Sequence, residues 1–516
     1  MASLRHNLKS ANILWFKRDL RVFDNLPLIE ATKNELPLIP LYVIEPNYWK
    51  QDFSSRRHWY FISDCLQELR EELEYLGQPL IVRKNEVIDV LNEILQKFKL
   101  VNIYTHQETG NEWVLNRNKN VKKFCEINDI NLIEFQKNGV FRGLNNRDNW
   151  SKLRNEKMKS KLIKSPVSIK GVNGIEIGNI PSKNNNLFGE KIFGVVQKGG
   201  RKEAIKILNT FLNSRVKNYI SDISSPSFSA TSCSRLSPHL SWGTLSVREV
   251  LYFSKQKIKS IKNNSSFLKK NIYAFTSRLS WRCHFIQKLA DKPEIEKKCI
   301  HPFYENIRPK KYDEFLFNSW KDGMTGYPFV DACMRSLTYE GWINFRMRAM
   351  LISFASYNLW IDWRITGKHL AKLFTDYDPG IHYSQLQMQS GVTGINSIRI
   401  YNPVKQSQEH DPKGEFIKKW VPELRDVPIT FIHEPWNLTL KQQKEYNCKI
   451  KKDYPIKIVD YKKTTLIAKK LIFDVKKRKN FEKESSIIYK KIGSRKIKKD
   501  KSIKNKIQKK QLSFLF

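Results

Sequence analysis

The sequence lacks paired cysteines, long apolar runs and enough acidic residues to balance its basic ones. Its 7 cysteines include no C-x-x-C pair, so the spacing indicates neither a zinc nor an iron–sulfur site and suits a reducing cytoplasm. No run approaches the ~18 apolar residues that a membrane span needs. Lys17 and Arg18 interrupt the first apolar run, ANILWF, which is not the layout of a secretory signal. We therefore expect a cytoplasmic chain without a metal site or a membrane anchor.

Basic residues outnumber acidic ones by 92 to 51, giving a formal net charge of +41. An excess of this size favours a polyanionic partner, and nucleic acid is the usual one. The chain is also rich in Lys, Ile and Asn, as the product of an AT-rich genome would be, so compositional bias stays open as a partial explanation. Residues 451–516 alone hold 23 Lys and Arg against 6 Asp and Glu.

Over residues 1–140, short apolar runs alternate with stretches of helical periodicity. The expected helical stretches are Ser54–Leu76, Glu86–Phe98 and Asn111–Ile127. The expected strands are Asn12–Phe16, Leu38–Ile44, Pro79–Val82, Val101–Tyr104 and Asn131–Phe135. Strands that alternate with helices predict an α/β domain with a doubly wound, Rossmann-like parallel sheet. No G-x-G-x-x-G follows the first strand, so the common dinucleotide fingerprint is missing.

Residues 141–516 divide into three segments that differ in sequence pattern. Residues 141–200 combine turn formers with little periodicity, which predicts a long interdomain linker. From Arg201 onward apolar residues recur at helical spacing, which predicts an all-α domain over residues 201–450. The Lys-rich residues 451–516 are expected to be a disordered tail.

Several motifs occur in a fixed order along the chain. WFKRDLRVFDN follows the first strand, and TGYPFVDACMR, GW, R-M-R and D-x-D follow one another between Trp320 and Asp378. This series resembles the DNA photolyase/cryptochrome family, in a bacterial form without the usual W-x-W motif. The resemblance implies an antenna domain followed by a helical FAD-binding domain. It also implies a second, antenna chromophore near THQETGNEW (Thr105–Trp113), although an empty Rossmann-like cleft stays equally open.

The FAD cofactor is implied by the same resemblance. Arg346 and Arg348 point about 200° apart on a helix, so one of them can face inward, where it needs an anion. His382 falls at the position facing flavin N5, where photolyases typically have Asn, and Cys233 falls where a Thr is usual. The implied FAD-binding residues are Tyr219, Cys233, Ser234, Arg235, Leu236, Ser237, Arg282, Arg348, Asp376, Asp378 and His382.

A DNA-facing set follows from the resemblance as well. It comprises Arg278, Trp281, Arg346, Met388 and Arg399. Trp281 would wall a lesion cavity, because a flipped-out base needs a surface on which to stack. The set departs from the family: Arg278 replaces a common carboxylate, Asn344-Phe345 replaces His-Asn, and Leu386 and Met388 replace the two tryptophans of W-x-W. A core role for Trp281 and a plain surface charge for Arg346 stay open.

The family's electron relay is represented only in part. Trp363 matches the middle relay tryptophan, and Trp360 is expected one turn earlier on the same helix face. These two residues and His382 are the implied catalytic residues. Leu386 stands at the inner relay position and Lys310 near the outer one, so an alternative path or a purely structural role for these aromatics stays open. Trp342, Tyr357 and Tyr383 are further candidates for such a path.

The resemblance implies light-dependent DNA repair, in which reduced FAD donates an electron to a flipped-out pyrimidine dimer (deoxyribodipyrimidine photo-lyase activity). Two alternatives remain: a cryptochrome-like blue-light photoreceptor and a photolyase acting on (6-4) photoproducts. The expected partner is DNA that contains pyrimidine dimers, and we expect the protein to be a monomer.

The chain ends in an apolar hexapeptide, Gln511–Phe516, after a Lys-rich stretch. This QLSFLF sequence resembles the peptides by which bacterial repair proteins dock on the sliding clamp. Gln511 would bond backbone groups, while Leu512, Leu515 and Phe516 would fill an apolar groove. A tail that packs on its own domain, or that has no role, stays open.

Overall fold

The computed structural model describes residues 8–261 and 266–495. Its N-terminal part contains a five-stranded sheet in the order β3-β2-β1-β4-β5, with every pairing parallel. The strands are β1 (Ser10–Phe16), β2 (Leu38–Val43), β3 (Ile81–Arg83), β4 (Lys99–His106) and β5 (Asn131–Phe135). β1 and β2 are mostly apolar because strands inside a parallel sheet are covered on both faces. The predicted doubly wound α/β domain is confirmed.

Helices cover both faces of this sheet. Apolar residues of α1 and α3 pack on one face, and those of α4 and α5 pack on the other. The helices of this part are α1 (Leu26–Ala31), α2 (Pro46–Trp49), α3 (Arg56–Tyr75), α4 (Val87–Leu95) and α5 (Glu112–Ile127). The strand order reverses between β1 and β4, so the carboxyl ends of these two strands form the crevice where such sheets bind ligands.

Residues 141–200 are mostly irregular but contain α6 (Trp150–Lys159) and a short 3₁₀ turn, Asn186–Phe188. The expectation of a segment without helical structure is wrong at α6. This helix buries Arg154 and Met158, and its Trp150 indole donates to the carbonyl oxygen of Gly139 at 3.0 Å. The segment also packs on the sheet domain, since Phe188 stacks on Trp59 with ring centroids 4.0 Å apart.

From Arg201 onward the described chain is helical, which confirms the predicted all-α domain. Its helices are α7 (Arg201–Asn213), α8 (Tyr219–Asp222), α9 (Ser229–Ser232), α10 (Ser237–Trp242), α11 (Val247–Ser260), α12 (Ser266–Asp291), α13 (Glu314–Lys321), α14 (Pro328–Glu340), α15 (Phe345–Ser353), α16 (Trp363–Leu373), α17 (Pro379–Gln389), α18 (Pro403–His410), α19 (Glu415–Trp420), α20 (Ile429–Ile432), α21 (Leu440–Glu445), α22 (Tyr461–Lys476) and α23 (Phe481–Ile492). Short turns lie at Arg215–Asn218, Pro293–Glu296, Pro302–Tyr304, Pro422–Leu424 and Pro435–Asn437 (3₁₀) and at Phe354–Asn358 (π). Fully buried aromatic side chains, among them Trp320 and Trp363, form much of its core.

The expected disorder of residues 451–516 is wrong for α22 and α23. Ala468, Ile472 and Val475 recur at helical spacing and are buried, and Phe481 stacks on His301 with centroids 4.1 Å apart. The Lys-rich composition hid this apolar stripe, which is what makes a surface helix pack. The clamp-like peptide Gln511–Phe516 lies outside the described residues, so clamp docking stays a prediction.

The two folded parts meet at the segment after β1. Gly243 ends α10 with φ +80°, and a Cβ there would collide with the carbonyl oxygen of Arg18. Only glycine allows this close approach without strain. Leu20 N–H also donates to the carbonyl oxygen of Trp242 at 3.2 Å. No described helix is both long and apolar enough to cross a membrane.

Candidate flavin and DNA site

Two buried carboxylates of one loop are each held by an arginine from another helix. Asp376 accepts two bonds from Arg348 of α15, Nη1 to Oδ1 at 3.0 Å and Nη2 to Oδ2 at 2.9 Å. Asp378 caps α17 and accepts from Arg282 Nη2 of α12 at 2.8 Å. Arg348 is therefore the inward arginine, Asp376 is the anion that it needs, and the D-x-D loop joins α12, α15 and α17.

The charge of Asp376 is stabilised in a buried place. Burial opposes ionisation, but the positive charge and hydrogen bonds of Arg348 outweigh it, so the pKa of Asp376 lies below its ordinary value. The Ser237 hydroxyl contributes a further bond to this carboxylate. Ser241 Oγ donates to the backbone carbonyl of Asp376 at 3.0 Å, and Arg18 Nη1 donates to that of Tyr377 at 2.9 Å. The carboxylates are thus fixed from both folded parts.

The Cys233–Ser237 segment contains a strained residue. Arg235 has φ +58°, in the left-handed region that a non-glycine residue rarely adopts. This backbone lays its guanidinium over the Trp342 ring at 4.1 Å, and burial lowers the pKa of Arg235 to about 10. Leu236 is fully buried beneath the segment, while Ser234 and Ser237 are half-buried. The segment therefore presents a cation and small hydroxyls beside Asp376.

His382 is neutral in this environment. Its Nε2 lies 2.9 Å from the carbonyl oxygen of Gly367, which can only accept, so Nε2 carries the proton. Burial lowers the pKa of His382 to about 4. Its ring also meets Tyr377 edge to face at 5.2 Å. At neutral pH the imidazole therefore offers no positive charge to a neighbour.

The donors and acceptors of this region fit a flavin dinucleotide. Arg235 supplies positive charge for a pyrophosphate, and Ser234 and Ser237 supply hydroxyls, while Asp378 and Asp376 offset the charges of Arg282 and Arg348. Arg282 Nε is buried without an acceptor among the described residues, as expected of a group that a ligand completes. Cys233, at the family's Thr position, uses its backbone carbonyl to accept from Arg215. Tyr219 bonds the side chain of Arg278.

Half-exposed apolar side chains lie next to this region. Trp281 is 37% exposed and Phe345 is 41% exposed, while Met388 is half-buried. Asn344 is not available to a ligand, because its Nδ2 donates to Ser225 O and Ser229 Oγ, both at 3.1 Å, and its Oδ1 caps α15. The amide expected before Arg346 is therefore used structurally, and an aromatic ring stands at the following position.

Arg346 on α15 and Arg399 after α17 place positive charge beside these two helices. Burial raises the pKa of Tyr401, and the positive charges of Arg346 and Arg399 act in the opposite direction. Arg346 also helps burial to lower the pKa of His410 to about 4. Arg346 and Arg399 are half-buried and close enough to repel one another. Two adjacent cations of this kind are typical of a phosphate-binding surface.

The aromatic relay differs from the expectation in one respect. Trp363 begins α16, with Asp362 as its N-cap, so Trp360 lies outside the helix with φ +55°. The predicted shared helix face is wrong, because α16 begins after its capping residue Asp362 and Trp360 precedes that cap. Guanidinium groups lie over both rings, Arg364 at 4.6 Å from Trp363 and Arg308 at 4.7 Å from Trp360.

Ion pairs line the crevice at the carboxyl ends of β1 and β4, next to a cavity bordered by Arg18 and residues 107–109. Arg117 donates to Glu45 at 2.9 Å and to Glu108 at 2.5 Å, and its guanidinium lies 5.0 Å from the Trp15 ring. Trp113 packs edge to face on Tyr48 at 5.4 Å. These buried charges limit where a pigment could lie, so an antenna chromophore beside this crevice stays a prediction.

Sequence reasoning missed three residues of the site. Arg18 and Ser241 fix the D-x-D backbone, although neither was among the predicted site residues. Gln385, one turn after His382, is buried with an unpartnered amide nitrogen. Arg18 lies in WFKRDLR, whose match could have marked it. The other two residues carried no signal, because a single Ser or Gln in a helix is common.

Comparison with known proteins places the chain in a family. Residues 12–144 match the family model described as DNA photolyase, and residues 275–473 match the FAD binding domain of DNA photolyase. A deoxyribodipyrimidine photo-lyase from Buchnera aphidicola is 32% identical over 490 residues, covering 88% of this chain and 96% of that protein. The chain therefore belongs to the photolyase/cryptochrome family, and its helical part is the family's FAD-binding domain.

Solved structures agree with this placement. The Synechocystis cryptochrome is 25% identical, with a TM-score of 0.81 over 90% of this chain and 99% of that one. An archaeal photolyase from Sulfolobus tokodaii, solved with two FAD molecules, is 28% identical, with a TM-score of 0.72 over 90% of this chain and all of that one. The similar proteins include both photolyases and cryptochromes.

Proposed function

We propose that this protein is a light-driven DNA repair enzyme that splits pyrimidine dimers, a deoxyribodipyrimidine photo-lyase. One observation carries the proposal. Three helices each carry a residue assigned to the flavin and, within two turns of it, a half-exposed apolar side chain: Arg282 and Trp281 on α12, Arg348 and Phe345 on α15, and His382 and Met388 on α17. A ligand stacked between the half-exposed side chains would therefore lie close to the flavin.

Bound FAD would absorb the light and supply the electron that opens the dimer, while the protein binds and orients. Arg282 and Arg348 hold the carboxylates Asp378 and Asp376, and Arg235 adds a third positive charge. Neutral His382 faces the flavin without adding charge. These assignments follow the matched motifs.

Trp281 and Phe345 offer flat apolar faces to an extruded pyrimidine pair, whose stacking partners in the duplex have been lost. Met388 supplies a softer wall where the family's tryptophan is absent. Arg278 stands where a carboxylate is common, and as an arginine it can only donate, so it would meet carbonyl or phosphate oxygens. Arg346 and Arg399 would contact the backbone on either side of the lesion.

Electron supply to the flavin is the step at which this chain departs most from the pattern of the family. A positive charge over Trp363 and Trp360 disfavours the loss of an electron from either ring, because the product would itself be cationic. Tyr377 and Tyr383 offer another route: their hydroxyl oxygens lie 3.4 Å apart, and Tyr377 contacts His382. Tyr383 is bonded to Glu296, so it could pass its proton to that carboxylate as it gives up the electron, and the tyrosyl radical would then be neutral.

A blue-light receptor is the second candidate, and the similarity to the Synechocystis cryptochrome together with Leu386 and Met388 favours it. Repair of (6-4) photoproducts is a further possibility within the enzyme class. The test compares three oligonucleotides, one with a single cyclobutane dimer, one with a single (6-4) product and one without damage, each under blue light and in the dark. Light-dependent restoration of the cyclobutane dimer supports the proposal; restoration of neither lesion supports the receptor.

A further inference from the structure

α17 presents four different sides to its surroundings. A Cβ at Gly380 would touch Ile286, and Ser384 Oγ donates to Phe285 O at 3.4 Å, so this side faces α12. His382 and Leu386 face Gly367 of α16. Tyr383 lies on a third side, against Tyr377.

Gln385 points to the remaining side. At 100° per residue it lies about 80° from the His382–Leu386 direction and about 120° from the Gly380–Ser384 direction. Met388, about 60° from it, is half-buried, and the matched motifs assign Met388 to the proposed lesion cavity, so we place that cavity on this side of α17. α15, which carries Arg348, packs against α17.

The amide of Gln385 is incompletely bonded. The side chain is 7% exposed, and its Oε1 accepts from Gln389 Nε2 at 3.5 Å. Its Nε2 is buried and finds no acceptor among the described residues. A buried N–H donor without a partner is costly, so native proteins rarely keep one unless a ligand or water completes it.

We propose that Gln385 is a ligand-binding residue whose Nε2 donates to the carbonyl oxygen of an imide ring. Two rings at this site carry that group: the isoalloxazine of FAD and the flipped-out pyrimidine. Asn344 is already bonded as the cap of α15 and Phe345 has no amide, so Gln385 would replace the amide that the family places before Arg346. This inference rests on the proposed function and names a further residue of the same site.

The test uses Gln385→Leu in the full chain, because leucine keeps the volume and removes the donor. Without FAD, the thermal stability of the variant should stay close to that of the wild type, since leucine removes the unpaired Nε2 but also takes the acceptor from Gln389 Nε2. FAD affinity, measured by fluorescence titration of the apoprotein in the dark, should fall about tenfold if the flavin is the acceptor. If the pyrimidine is the acceptor, FAD affinity stays unchanged and the preference for dimer-containing over undamaged DNA falls about tenfold.

Gln406→Leu is the matched control, because Gln406 is also 7% exposed but lies on α18. It should leave FAD affinity unchanged. Gln385→Glu, which puts an acceptor in place of the donor, should weaken binding at least as much as leucine does. The inference is overturned if Gln385→Leu changes neither FAD affinity nor lesion preference while the wild type shows both. A wild type that binds no FAD would instead remove the proposed function itself.

Discussion

Arg348 and Asp376 form a two-armed ion pair, with 3.0 and 2.9 Å between the paired atoms, and the carboxylate side is almost fully buried. Each partner therefore depends on the other. Removing the arginine leaves a buried carboxylate without its counter-ion, which costs about 3–5 kcal/mol in comparable pairs. The rest of the flavin region is built on this pair, since Ser237 and Ser241 bond the same residue.

We expect Arg348→Ala to lose most of its bound flavin during purification. The measurement is the ratio of flavin absorbance to protein absorbance after gel filtration. Arg335→Ala is the control, because Arg335 makes a similar bond to Glu423 at 2.9 Å on another part of the domain. Full flavin occupancy in Arg348→Ala would show that the assignment of this pair is wrong.

Trp281→Ala and Arg399→Ala should weaken DNA binding in different ways. Loss of a stacking surface costs about 1–3 kcal/mol per base and should mainly erase the preference for damaged DNA. Loss of a phosphate contact should weaken damaged and undamaged duplexes alike and lower the salt dependence. Both are read from binding titrations at several salt concentrations. An identical loss on both substrates for both variants would argue against a lesion cavity.

Trp363→Phe should leave repair intact when the flavin is chemically reduced before the assay. Trp363 is fully buried, and its role in the account is limited to electron supply. We expect single-turnover repair by the pre-reduced variant to stay within about twofold of the wild type, with correct folding checked by flavin content. Abolished repair under these conditions would mean that reduction and catalysis are not separable here.

His382 makes stability depend on pH. Its folded pKa is about 4, below the ordinary value of 6.5. The unfolded chain therefore takes up a proton below pH 6.5 while the folded protein does not, so this contribution is complete above pH 6.5 and is lost as pH falls toward 4. The loss amounts to at most about 3 kcal/mol.

His382→Asn should remove this contribution. Denaturant unfolding at pH 7 and pH 5 should show a smaller difference for the variant than for the wild type. Several other buried histidines, including His58 and His239, also have lowered pKa values, so a residual pH dependence is expected in both proteins. An unchanged difference between the two pH values would contradict a neutral, buried His382.

The sequence predicted the parts of the fold that rest on repeated local pattern. β1 and β2 are short, mostly apolar runs, and such runs indicate buried strands whatever the surrounding structure. Arg348 and Asp376 were paired in advance because an inward arginine needs an anion and the D-x-D loop offers one. Both inferences depend on residue type more than on exact three-dimensional position.

Three features could not be read in the same way. The start of α16 depends on whether Asp362 caps the helix or lies within it. Because Asp362 is the cap, Trp360 lies outside the helix. In α22 and α23 the abundance of lysine concealed the apolar stripe that packs on the domain. A role for Gln385 can be inferred only from the structure, because the evidence for it is that its Nε2 has no hydrogen-bond acceptor among the described residues.

The most direct test of the account is single-turnover repair of an oligonucleotide with one cyclobutane pyrimidine dimer by protein whose flavin has been reduced in the dark. The account predicts that blue light restores the intact pyrimidines and that a parallel sample kept in the dark shows no restoration. Trp281→Ala, at a concentration that saturates the DNA, should restore fewer dimers per photon absorbed. Normal flavin content and DNA binding without any light-dependent restoration would contradict the assignment to dimer repair.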